Sequence, residues 1–93
     1  MLTLDATVQI PAFVTHVFLK EDAVLLNMHN GQYYQLDEVG ARLWGLMREE
    51  KSLREGYQVL LDEYEVDSSQ LEKDVLELVE NLKEQGLVEI IQA

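Results

Sequence analysis

Asn30-Gly31 restricts this chain most, because Asn-Gly best tolerates the positive φ angles that both central positions of a type I′ turn require. The pair sits between two apolar-rich runs of strand length, residues 24–29 and 32–36, so the sequence predicts a β-hairpin. With His29 opposite Gln32, Met28 faces Tyr33, Asn27 faces Tyr34, Leu26 faces Gln35 and Leu25 faces Leu36. A second turn at Glu21-Asp22 returns residues 16–20 to the same central strand. The result is a three-stranded antiparallel meander with residues 32–36 along one edge. Pro11, the only proline, can bend the segment that enters it.

Beyond Leu36 the apolar residues change period and recur at three- and four-residue intervals, as helices require. Asp37 is a natural N-cap for a helix running to about Glu50 whose apolar side is Val39, Leu43, Trp44, Leu46 and Met47. Ser52 with Glu55 is a capping box for a second helix carrying Leu53, Tyr57, Leu60, Leu61 and Tyr64. Asp67 with Gln70 repeats the signal for a third, longer helix. On that helix Leu71, Val75, Leu78 and Leu82 form the core stripe, Val79 lies at its border, and Gly86 supplies the stop. Residues 87–91 then read as a short terminal strand or extended tail. The expected fold is α+β, a three-stranded antiparallel sheet followed by three helices with the outline of a winged helix-turn-helix, in one domain over residues 1–93.

The function classes narrow quickly. Ninety-three residues with 47% hydrophobic content can build one core, and the lack of cysteine removes disulfide frameworks, thiolate metal sites and cysteine nucleophiles. No segment is long and apolar enough to span a bilayer and no signal peptide opens the chain, so the expected compartment is the cytoplasm. The net charge of −11 disfavours nucleic acid and anionic membranes, both of which recruit cations. A winged helix-turn-helix outline raises DNA binding, but the third helix carries Glu72, Asp74, Glu77, Glu80 and Glu84 against Lys73 and Lys83, which phosphates would repel. His16 and His29 lack metal-ligand spacing, Gly40 and Gly45 fall inside a helix, and Ser52, Ser68 and Ser69 sit at helix starts where capping explains them. No catalytic constellation emerges, and neither metal nor cofactor is expected.

The edge strand is more informative. Gln32, Tyr33, Tyr34, Gln35 and Leu36 include no charge and no proline, so the usual defences against strand addition are missing. Such an edge can accept a peptide, with main-chain bonds giving affinity and side-chain pockets giving selectivity. Tyr33 and Tyr34 could instead only pack on the sheet. On the third helix Leu76 lies off the core stripe and forms one flank with Val79 and Lys83, the candidate groove wall, with Glu72 and Val75 added as further candidate contacts.

The chain resembles the family of coenzyme PQQ synthesis protein D (PqqD). The residues that carry the resemblance are Val24-Leu25-Leu26-Asn27-Met28, Gly31-Gln32-Tyr33-Tyr34-Gln35-Leu36 and Gly40-Ala41-Arg42-Leu43-Trp44. It continues through Glu63-Tyr64-Glu65-Val66-Asp67 and Leu82-Lys83-Glu84-Gln85-Gly86-Leu87-Val88, and covers about residues 8–90. Asp37 and Val39 stand where the family more often has Asn and Ser or Thr, a departure local to one helix start. The resemblance implies a non-catalytic element that holds the leader of a ribosomally made precursor peptide as an added strand against the third helix. It also implies a partner enzyme. The stand-alone form is most similar to the recognition protein of lasso peptide biosynthesis, whose partner is a leader-cleaving cysteine protease. The alternatives are a peptide chaperone of PQQ biosynthesis with a radical SAM partner, and a module that dimerises through the same edge.

Overall fold

In the computed structural model, which describes residues 2–91, the chain runs β1 (Thr7–Gln9), β2 (Val14–Leu19), β3 (Asp22–Asn27), β4 (Tyr33–Leu36), α1 (Glu38–Arg48), α2 (Leu53–Glu63), α3 (Ser68–Glu84) and β5 (Glu89–Ile91). The fold is α+β. Strands β2, β3 and β4 form the antiparallel meander with β4 at an edge, and β1 pairs antiparallel with β5 in a separate two-stranded sheet.

Local chemistry explains the helix boundaries. Asp37 accepts from the Gly40 amide to cap α1, and Ser52 and Glu55 close a full capping box on α2. Asp67 caps α3 through the Ser69 amide. Gln70 does not complete a box there, because its amide donates to the Asp74 carboxylate one turn on, at 2.8 Å. At the far end the Gly86 and Leu87 amides donate to the Lys83 and Leu82 carbonyls, and Gly86 has φ of +74°. That pattern is a Schellman stop, and only glycine adopts the required angle without strain.

The hairpin differs from expectation. The two-residue turn at Asn30-Gly31 does not form: only Gly31 has positive φ, and the connection is the longer loop 28–32. The Asn27 side chain is responsible, since its Oδ1 accepts from the His29 amide at 2.9 Å while its carbonyl accepts from Gly31 at 2.8 Å. The register slips by two residues, pairing Leu26 with Tyr33, Leu25 with Tyr34, Val24 with Gln35 and Ala23 with Leu36. An even slip keeps every side chain on its expected face. The β2–β3 turn likewise moves by one residue, to Lys20-Glu21, with Lys20 at positive φ.

The inner face of the meander, Ala23, Leu25 and Leu36, packs with Leu43 and Trp44 of α1 in the core. Gly56 lets α2 approach α1 closely, because a Cβ there would lie 2.9 Å from a Leu43 methyl. On α3 the buried residues are Leu71, Val75, Val79 and Leu82, with Val79 fully buried and Leu78 only half-buried. This corrects the assignment of Val79 to the border of the stripe: the two neighbours exchange roles because the buried face is centred about 25° further round the helix, toward Val79. The sequence reading also missed β1 and the segment ahead of it. Leu2, Leu4 and Ala6 are buried, and the alternation Leu2, Leu4, Ala6, Val8, Ile10 was the available signal.

Candidate functional site

The free edge of β4 is defined by hydrogen-bond parity. Asn27 donates to the Gln32 carbonyl at 2.9 Å, and bonded pairs alternate along an antiparallel ladder, so Tyr34 and Leu36 direct their main-chain groups at β3. Tyr33 and Gln35 therefore point their N–H and C=O groups outward. Side chains alternate too. Tyr33 and Gln35 lie on the exposed outer face, Tyr33 at 76% exposure, whereas Tyr34 is half-buried and Leu36 buried on the inner face. Gln32 precedes the strand, with its amide donating to Asn30 Oδ1 at 2.9 Å.

Past the end of that strand lies a groove of about 320 Å³. Asp37, Val39, Gly40 and Leu43 line it where β4 passes into α1, and Gln70, Leu71, Asp74, Val75 and Leu78 of α3 form the opposite wall, with Leu60 and Val66 between. Strand β4 and helix α3 share little backbone contact. The end of α3 lies near the start of β4, where Asn27 Nδ2 donates to the Gly86 carbonyl at 3.4 Å, and the end of β4 leads into the groove. The strand thus runs alongside α3 in the opposite direction. The lining is apolar except for Gln70 and the Asp37 and Asp74 carboxylates, and it contains no cation.

The structure divides the residues singled out on α3. Val75 backs the groove beside Leu78 but is itself 2% exposed, and Val79 is sealed in the core. Glu72 and Leu76 line a different groove of about 540 Å³, on the other flank of the helix, against Leu2 and Thr3. Lys83 is exposed and lines neither. Sequence reasoning did not single out Leu78, Asp74 and Gln70 as site residues, although they follow one another at four-residue spacing on one flank.

Other features lie apart. A larger cleft, about 750 Å³ between β1 and the α1–α2 connection, shares no residue with the groove and has Arg48, Lys51, Glu50 and Glu55 around it. Arg48 lies 3.1 Å from His16 Nε2, and partial burial followed by the guanidinium charge lowers the His16 pKa. Among the described residues no group of three or more His, Cys, Asp or Glu could hold a metal ion. Among the described residues no helix is long and apolar enough to cross a membrane. The outer face of the meander exposes Val17, Leu19 and Leu26 next to Tyr33, an apolar surface that no other described element covers.

Comparison with known proteins fits this geometry. The chain is similar in structure to TbiB1, solved in complex with the TbiA(beta) leader peptide, with a TM-score of 0.83 and 32% sequence identity over 87% of this chain and 94% of that one. It is also similar to a lasso peptide synthetase B1 complexed with its leader peptide, with a TM-score of 0.79 and 28% identity over 88% and 96% of the two chains. No curated protein sequence matches it significantly. The family described as coenzyme PQQ synthesis protein D (PqqD) matches residues 22–88, most of the chain, and this protein belongs to that family.

Proposed function

We propose that this protein is a non-catalytic recognition element that binds the leader of a ribosomally made precursor peptide and delivers it to a processing enzyme. The observation that carries the reading is the outward-facing main chain of Tyr33 and Gln35 on a strand that leads at Asp37 into an apolar groove. An extended leader completes the ladder on β4, and its inward side chains enter the groove against Leu78 and Val39. About ten extended residues, at roughly 3.3 Å each, cover the longest dimension of the molecule, 35 Å. Both structural relatives are leader complexes, and the B1 relative favours lasso peptide biosynthesis over PQQ biosynthesis. The partner is then a leader-cleaving cysteine protease rather than a radical SAM enzyme. Delivery needs a surface that stays free when the edge is filled, and the outer sheet face of Val17, Leu19 and Leu26 meets that need.

The test is calorimetric titration with synthetic leader peptides, beginning with the TbiA(beta) leader held by a structural relative, together with size measurement before and after addition. One leader per protein chain, binding to a monomer, is the expected result. A dimer that resists the peptide would establish self-association through the edge instead, and cleavage of the precursor by the protein alone would contradict a non-catalytic role.

A further inference from the structure

Asn27 is the one fully buried polar residue among the described residues, 4% exposed, and almost every polar atom it owns is engaged. Its amide donates to the Gln32 carbonyl at 2.9 Å and its carbonyl accepts from Gly31 at 2.8 Å. Its Oδ1 accepts from the His29 amide at 2.9 Å and from the Asn30 amide at 3.4 Å. These four bonds shape the loop from which β4 starts. The fifth points elsewhere: Nδ2 reaches across 59 positions of sequence to the Gly86 carbonyl at the stop of α3. Gly86 is set by its φ of +74° rather than by crowding, since a Cβ there would meet Nδ2 only at an ordinary contact distance of 3.5 Å.

The β4 edge and the α3 wall of the groove share little backbone contact, so their separation depends on what joins them. At one end α1, capped by Asp37 directly after β4, faces α3 across the groove. At the other end the joint is Asn27. We propose that Asn27 is a positioning residue for leader recognition, clasping the β4 hairpin loop to the end of α3 and so setting the distance between the strand edge and the helix wall. This inference rests on the proposed binding site, and it adds that strand pairing and groove contacts are coupled through one buried amide. A buried amide suits the task because it satisfies loop donors and a helix-end acceptor together, and an apolar residue there would leave these groups unpaired.

Two variants separate the parts of the clasp. Asn27→Ser keeps an oxygen able to accept from the His29 amide but cannot reach Gly86, and Asn27→Asp keeps the shape while removing the donor. Either variant that melts cooperatively, followed by Trp44 fluorescence, is titrated with the synthetic leader alone and in combination with Leu78→Ala. Leader affinity should fall about tenfold in the Asn27 variant, and Leu78→Ala should then cost clearly less than the roughly tenfold it costs in wild type, because the helix wall is no longer held in register. Unchanged affinity, or losses that simply multiply, would overturn the positioning role and leave Asn27 a loop-capping residue. Wild-type protein that does not bind the leader would overturn the binding-site reading itself, an outcome distinct from additive losses on a working site.

Discussion

The two flanks of α3 are chemically alike and structurally opposite. One carries Gln70, Asp74 and Leu78, the other Glu72, Leu76 and Lys83, so each has one leucine among polar neighbours. The first faces α1 where β4 ends, whereas Glu72 and Leu76 on the second face Leu2 and Thr3. Helical periodicity finds the stripe between the flanks but treats the flanks as mirror choices. Which one looks toward a given strand depends on how the helix crosses the sheet, and that is a tertiary property.

The largest expected effect tests the flanks directly. Leu78→Asp should weaken leader binding by about 100-fold, near 3 kcal/mol, because an apolar contact becomes a carboxylate facing a buried peptide side chain. Leu76→Asp should leave affinity within about twofold, a change under roughly 0.5 kcal/mol. The reverse ordering in calorimetry would move the peptide to the other flank. Next comes the strand wall: Gln35→Pro deletes an outward amide and should cost about 1 to 3 kcal/mol of affinity with the fold retained. Tyr34→Pro deletes an amide aimed at β3 and should show first as loss of the cooperative melt. Val79→Ala then separates core from groove, lowering stability by about 1 to 2 kcal/mol in denaturant titration while affinity stays near wild type.

The smallest effect lies away from both flanks. His16 has its pKa lowered by burial and by Arg48, so the unfolded chain binds its proton more readily than the folded one. Stability from the neutral ring is present above about pH 6.5, the unfolded value, and is lost as pH falls through the folded pKa. Melting between pH 7 and 5 should show a slight fall that His16→Asn flattens, with the pH dependence of leader affinity unaltered by that substitution.

Legibility in the sequence followed the range of each interaction. Asp37, Ser52, Glu55 and Gly86 act within four residues of themselves, and all four marked their helix ends correctly. Asn30-Gly31 is equally local, yet Asn27 outcompeted it by folding its carbonyl and side chain over the loop, and the register slipped. The edge strand survived the slip because two residues is a full period of the pleat. Two features join distant positions, the β1–β5 pair from opposite ends of the chain and the face of α3 that meets the groove. No pattern in a single element encodes either one.

Amide hydrogen exchange on the protein with and without the synthetic leader tests the central claim most directly. Tyr34 and Leu36 already donate toward β3, while the Tyr33 and Gln35 amides face solvent. The account predicts that leader binding slows exchange at Tyr33 and Gln35 by at least about tenfold, with Tyr34 and Leu36 little changed. Saturating leader that leaves Tyr33 and Gln35 exchanging as in the free protein, or that protects β2 or the β1 cleft instead, would contradict strand addition on β4.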